Sequence, residues 1–182
     1  MKHLKHIKEY VNFLHYIDGP AIKGVNKNIK LNLVKDEETS FLFFRDVNND
    51  DIIFLNKYLK ENKFNLIELY HATSSKNNIL GNGLLTTKLK SKKSLQSTVG
   101  YVYLSVFENM AKTFGKIAYP NHDIKTYKIT VPVYFLKPDL DQLSNKRLYS
   151  HVDINNTLAE SALFGYGFRI KGNIPPYMIE QI

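Results

Sequence analysis

Apolar residues at Leu4, Ile7, Val11, Leu14 and Ile17 recur every three or four positions, with Lys2, Lys5, Lys8 and Glu9 on the rest of the wheel. That period predicts an amphipathic first helix, stopped by Asp18-Gly19-Pro20. His3 and His6 fall one turn apart on it, but without a third ligand they read as exposed histidines on a basic face. Alternation with period two follows in NIKLNLV (28–34) and SFLFFRDV (40–47), and the charged KDEET between them makes these a strand pair with a turn. Asn48 or Asn49 then caps a helix with Asp50 and Asp51 in its first turn and Ile52, Leu55, Tyr58 and Leu59 on one face. KFNLIELYHAT (63–73) predicts a strand ending on a histidine, and Asn77–Gly83 a short helix stopped by glycine.

The stretch TTKLKSKKSLQST (86–98), with Lys88, Lys90, Lys92 and Lys93, reads as an exposed loop. In GYVYLSVFENMAKTFG (100–115) the period changes from two to helical spacing at Phe107, Met110, Ala111 and Phe114, which predicts a strand running into a helix. Tyr101 and Tyr103 share one strand face, and Phe114 lies on the same helical stripe as the core candidates. KTYKITVPVYFL (125–136) alternates as one further strand, and a helix over Asn155–Phe164 follows. After a break at Gly165-Tyr166-Gly167, FRIKGNIPPYMI closes the pattern as a final strand. Helices come first and β-rich segments punctuated by short helices after, so the chain is expected to be α+β. The expected core is two-layered and mainly antiparallel with flanking short helices, and residues 1–62 form a helical and hairpin addition packed on residues 63–182.

Composition narrows the function classes. A chain of 182 residues with 43% hydrophobic and 23% charged positions has the make-up of one folded domain rather than a disordered segment. The absence of cysteine excludes disulfides, thiolate metal sites and a cysteine nucleophile. Polar residues interrupt every apolar run near the beginning, so neither a signal peptide nor a membrane span is expected, and a cytoplasmic setting is. The net charge of +8 suits a polyanionic partner. However, only Arg45, Arg147 and Arg169 among the 25 basic residues are arginine, whereas dedicated phosphate readers favour arginine forks. The excess of lysine, asparagine and isoleucine is what A/T-rich codons produce without any such partner.

Three pieces in order carry the chemistry: a strand ending Leu69-Tyr70-His71-Ala72-Thr73, the segment Ile79-Leu80-Gly81-Asn82-Gly83-Leu84, and Gly100 with Tyr103 leading into the helix through Phe114. Together they resemble the ADP-ribosyltransferase superfamily. The likeness is to its branch with a His-Tyr-Glu signature, which includes poly-ADP-ribose polymerases, diphtheria-toxin-like enzymes and small bacterial and phage proteins. The first piece is similar to that family's His-Gly-Thr strand end, with Ala72 in place of the usual glycine. The closing GNIPPYMI resembles the ending of many small members. The likeness spans residues 66 to 182.

The resemblance implies an ADP-ribosyltransferase-like core and a mono-ADP-ribosyltransferase with NAD as co-substrate and no metal. ADP-ribose would go to a macromolecular acceptor, protein favoured and nucleic acid possible, as in a toxin or conflict protein acting in a bacterial or infected host cell. It implies that His71 bonds the ribose hydroxyls, the backbone of Ala72 holds the carboxamide with Thr73 beside it, and Tyr103 and Phe114 face the nicotinamide ring. The residue types suit this chemistry. The leaving ring departs neutral, so the site needs ring stacking, ribose orientation and stabilisation of an oxocarbenium rather than a general acid. The family's glutamate has its nearest match in Glu160, several residues before FRIKGN, with Glu180 and Glu108 as more distant candidates. Base or RNA modification, including RNA 2′-phosphotransfer, NAD hydrolysis, and a non-catalytic binding module on the same fold are the alternatives.

Overall fold

The computed structural model describes residues 32–35, 42–45, 49–86, 97–144 and 154–182. The helix expected over 4–17 with His3 and His6, and Lys88, Lys90, Lys92 and Lys93, lie outside the described residues.

The period-two runs near the start pair as expected: β1 (Asn32–Lys35) runs antiparallel to β2 (Leu42–Arg45), with Asn32 opposite Arg45 and Lys35 opposite Leu42. Helix α1 (Asn49–Glu61) follows, and its apolar stripe buries Leu55 and Leu59 in the main core. β3 (Leu66–Ser74) carries the first functional motif and is paired along its whole length with β5 (Ile124–Pro132), from Leu66 opposite Pro132 to Ser74 opposite Ile124. Asn78 caps the one-turn α2 (Ile79–Asn82), which Gly83 ends at φ 75°. The change of period after Gly100 produces β4 (Tyr101–Ser105) and α3 (Glu108–Ala118).

Two runs expected as single strands are each divided. The first gives β5, a 3-10 turn at Val133–Phe135, and β6 (Leu136–Pro138). After the short helices α4 (Leu140–Leu143) and α5 (Leu158–Leu163), the second gives β7 (Gly167–Lys171) and β8 (Ile179–Gln181). Gly172 at φ 92° and a second 3-10 turn at Pro176–Met178 separate the latter pair.

The six strands pair antiparallel in the order β6-β7-β4-β3-β5-β8. In a flat sheet β6 would lie four strand spacings from β5, roughly 19 Å. The four-residue step from Pro132 to Leu136 reaches at most roughly 14 Å, so the sheet must fold over. It does so between β3 and β4, which pair only at Tyr70 and Ser105. The halves β3-β5-β8 and β4-β7-β6 thereby share one core. Ile67, Leu69, Ile129 and Val131 come from the first half and Val102, Leu104, Phe168, Ile170 and Leu136 from the second, closed by Leu55 and Leu59 of α1 and Ala159, Ala162 and Leu163 of α5. The fold is α+β with a six-stranded antiparallel sheet. No helix among the described residues is long and apolar enough to cross a membrane.

Helix α3 covers the opposite face of β3, where Tyr70, Ala72 and Ala111 form a second small cluster with Ile124 against it. Gly115 sets this approach: a Cβ there would meet Ala72 Cβ and Ile124 Cγ2 at 3.0 Å and the Ala72 carbonyl oxygen at 3.1 Å. Gly115→Val is expected to lose about 1–3 kcal/mol by pushing α3 off β3, read as a lower urea midpoint at unchanged slope.

Candidate functional site

The seam where β3 and β4 stop pairing is the place the first two motifs meet. One residue beyond the Tyr70–Ser105 pair, the His71 ring bridges the strands, its Nδ1–H donating to the Tyr103 carbonyl at 2.9 Å. Because a carbonyl only accepts, Nδ1 carries the proton and Nε2 is left as an acceptor. Burial pulls the His71 pKa below its ordinary value, against the opposing pull of the bond to Tyr103, so the ring is neutral at neutral pH.

Ala72 is not among the residues with positive φ, so a side chain is accommodated there without backbone strain. Its close approach to Gly115 sets α3, the helix that carries Phe114, against this part of β3. Phe114 is half-buried on the α3 stripe that carries the buried Met110 and Ala111. Thr73 is buried and its hydroxyl accepts from Asn77 Nδ2 at 2.8 Å, which ties the motif to the turn before α2. His71, Ala72 and Thr73 of β3 and Tyr103 of β4 thus lie along the seam, with α3 packed on Ala72 through Gly115.

The two tyrosines that alternation leaves equivalent are distinguished by their partners. Arg169, directly across from Tyr103 in the β4–β7 register, lays its guanidinium over the Tyr101 ring at 4.4 Å. The Tyr103 hydroxyl instead donates to Asp141 Oδ2. Thr98 joins both: its N–H lies 2.6 Å from the Tyr103 hydroxyl and 2.9 Å from Asp141 Oδ2, and its Oγ1 donates to Asp141 Oδ1 at 2.8 Å. Arg169 Nη1 is 3.9 Å from Asp141 Oδ2 and 3.4 Å from Thr98 Oγ1.

Burial works to raise the Asp141 pKa, but the bonds from Tyr103 and Thr98 and the charge of Arg169 outweigh it and hold the carboxyl below its ordinary range. Burial, followed by the bond to Asp141, pushes the Tyr103 phenol up, so it stays protonated and keeps donating. Asp141 is the carboxylate that sequence reasoning passed over. Its segment Pro138-Asp139-Leu140-Asp141 shows only a helix start, and the contact with Tyr103 spans 38 residues.

Glu160 is engaged at the start of α5. It is 1% exposed, and its carboxylate accepts from Asn155 N–H at 3.0 Å and from Thr157 N–H and Oγ1 at 2.8 Å each, while Thr157 Oγ1 caps the Glu160 N–H. This is a capping box at the start of α5, and the signature Thr157-Leu158-Ala159-Glu160 was readable in the chain. None of its hydrogen bonds reaches His71 or Tyr103. Glu180 pairs with Lys128 at 2.6 Å, and Glu108 with Lys112 at 2.5 Å. No three His, Asp or Glu side chains among the described residues come together as metal ligands.

Helix α4, which presents Asp141, is anchored by Asp139. The Asp139 Oδ1 accepts from Gln142 N–H at 3.1 Å, and its own N–H donates at 2.7 Å to Ser161 Oγ, which donates on to the Gly167 carbonyl at 2.6 Å. Burial pushes the Asp139 carboxyl up to about 6. A raised acid binds its proton more tightly folded than unfolded. The ionised form therefore costs stability above about pH 6, and the cost fades as pH falls towards the unfolded value of about 4. Asp139→Asn, which keeps the capping oxygen, is expected to stabilise the protein at pH 8 by on the order of 2–3 kcal/mol. The gain should shrink between pH 6 and 4 in denaturation curves; a gain constant with pH would place the effect elsewhere.

Compared with known proteins, the chain matches no family model, no curated protein and no solved structure.

Proposed function

We propose that the protein is a mono-ADP-ribosyltransferase that cleaves the nicotinamide–ribose bond of NAD and transfers ADP-ribose to a macromolecular acceptor. The proposal includes an ADP-ribosyltransferase-like core over 63–182, with 1–62 as an addition to it. The observation that supports it is the hydrogen bond from His71 to the Tyr103 carbonyl across the seam, which joins the histidine of one motif to the backbone of the tyrosine of the other.

On this reading the nicotinamide ring enters between Tyr103 and Phe114, and the backbone at Ala72 takes the carboxamide as an added strand edge would. His71 Nε2 accepts from a ribose hydroxyl. That role suits a neutral imidazole, and the lowered pKa of His71 keeps it available across the physiological range. Asp141 fixes the Tyr103 phenol and holds negative charge at that wall while positive charge moves from the ring to the sugar. Cleavage leaves neutral nicotinamide and an oxocarbenium on the ribose, and the acceptor nucleophile adds to that carbon and loses a proton.

The commitment of Glu160 to its capping box favours a second reading, in which the same cleft binds NAD without cleaving it. Incubation with NAD and chromatographic detection of nicotinamide separates the two. We expect release by the wild type and its loss in His71→Ala and Tyr103→Ala, with both variants keeping the far-UV spectrum of the fold. Saturable NAD binding without release supports the second reading, and neither binding nor release removes both. Glu160→Ala is expected to cost about 1–2 kcal/mol of stability through the lost cap, measured by denaturant titration.

A further inference from the structure

At the other end of β3 from the cleft, three aromatic rings stand in solvent and in contact. Phe64 precedes the strand, and Tyr134 and Phe135 form the turn joining β5 to β6. Their exposures are 74%, 49% and 38%. Tyr134 lies 5.9 Å from Phe64 edge to face and 4.3 Å from Phe135, so this is one cluster rather than scattered surface residues. It is built on fixed backbone: Tyr134 N–H donates to the Lys63 carbonyl at 2.8 Å and Val133 N–H to the Asn65 carbonyl at 3.0 Å.

Lysines flank the rings in the sequence. Lys63 Nζ sits 4.9 Å from the Phe64 centroid, and Lys60 at the end of α1 and Lys137 two residues after Phe135 are exposed. The acid of that turn, Glu61, has its own partner in Lys57 at 3.9 Å. The whole chain carries +8.

We infer that this aromatic cluster and its lysines form a docking surface for single-stranded nucleic acid, with unpaired bases stacking on Phe64 and Tyr134 and phosphates meeting Lys63, Lys60 and Lys137. Exposed ring faces beside cations match that ligand in both respects, since every base has a face to stack and every linkage a charge to neutralise. A duplex hides its base faces and can use only the lysines. The seven residues from Phe64 to His71 place the surface roughly 23 Å from His71. It is therefore separate from NAD binding, and the inference stands or falls independently of turnover.

The test is fluorescence anisotropy of a labelled twelve-nucleotide oligo(dT), and of a duplex of equal length, titrated with the full chain at two salt concentrations. The single strand is expected to bind at least tenfold more tightly than the duplex. Phe64→Leu and Tyr134→Leu, which keep an apolar side chain at exposed positions, should each weaken single-strand binding at least about fivefold. Lys63→Gln should reduce the salt slope by about 0.7. No binding to the single strand, equal affinity for the duplex, or leucine variants that bind like the wild type overturns the inference. The last two would leave only general attraction between a basic protein and phosphate.

Discussion

The hydrogen bond from His71 to the Tyr103 carbonyl stands where the backbone ladder between β3 and β4 gives out, and the rest of the architecture turns on that point. A strand edge that stops pairing inside a protein leaves polar backbone exposed to a dry interior, at a cost of about 1–3 kcal/mol for each unsatisfied group. The imidazole supplies one donor at that opening and lets the two halves diverge. Without such a divergence the four-residue step from β5 to β6 cannot be made, and the halves cannot close over a common core. The same side chain that closes the opening faces it with an unused nitrogen.

A second set of contacts keeps the far wall in place. Asp141 reaches Tyr103 from a helix of four residues, too short to hold itself, and that helix is pinned through Asp139 and Ser161 to β7. Arg169, on β7, returns towards Asp141 and stacks on Tyr101. Two acids and one arginine share this small volume. The bonds to Asp141 keep it ionised, whereas Asp139 is left to bear the burial. A charge-neutral arrangement is reached when Asp139 takes up a proton, so the support beneath Tyr103 relaxes on the acidic side of neutrality rather than the basic side.

Much of this was legible in the chain, and the misses have definite causes. The stripe that buries Leu55 and Leu59, the strand that carries His71 and the change of period after Gly100 depend on neighbours in sequence, and they appear where expected. The run 125–136 alternates and 168–179 reads as one strand, yet each crosses between the two halves of the sheet, and a local pattern does not name the strand's partner. Glu160 drew attention because the resemblance asked for a glutamate, while its own local signature, Thr157 three residues before, pointed to a cap. Asp141 and Arg169 act through contacts spanning 28 to 71 residues, to each other, Tyr103 and Thr98, and no short-range pattern marks those.

On the proposed function, the opened seam holds one flat ring, gripped by groups from β3, β4 and α3. A crystal structure of the protein soaked with NAD tests it most directly. The account requires the nicotinamide ring between Tyr103 and Phe114, its carboxamide on the backbone of Ala72, and a ribose hydroxyl within hydrogen-bond reach of His71 Nε2. Dinucleotide bound away from the seam, or lying in it without contact to His71, would contradict the account.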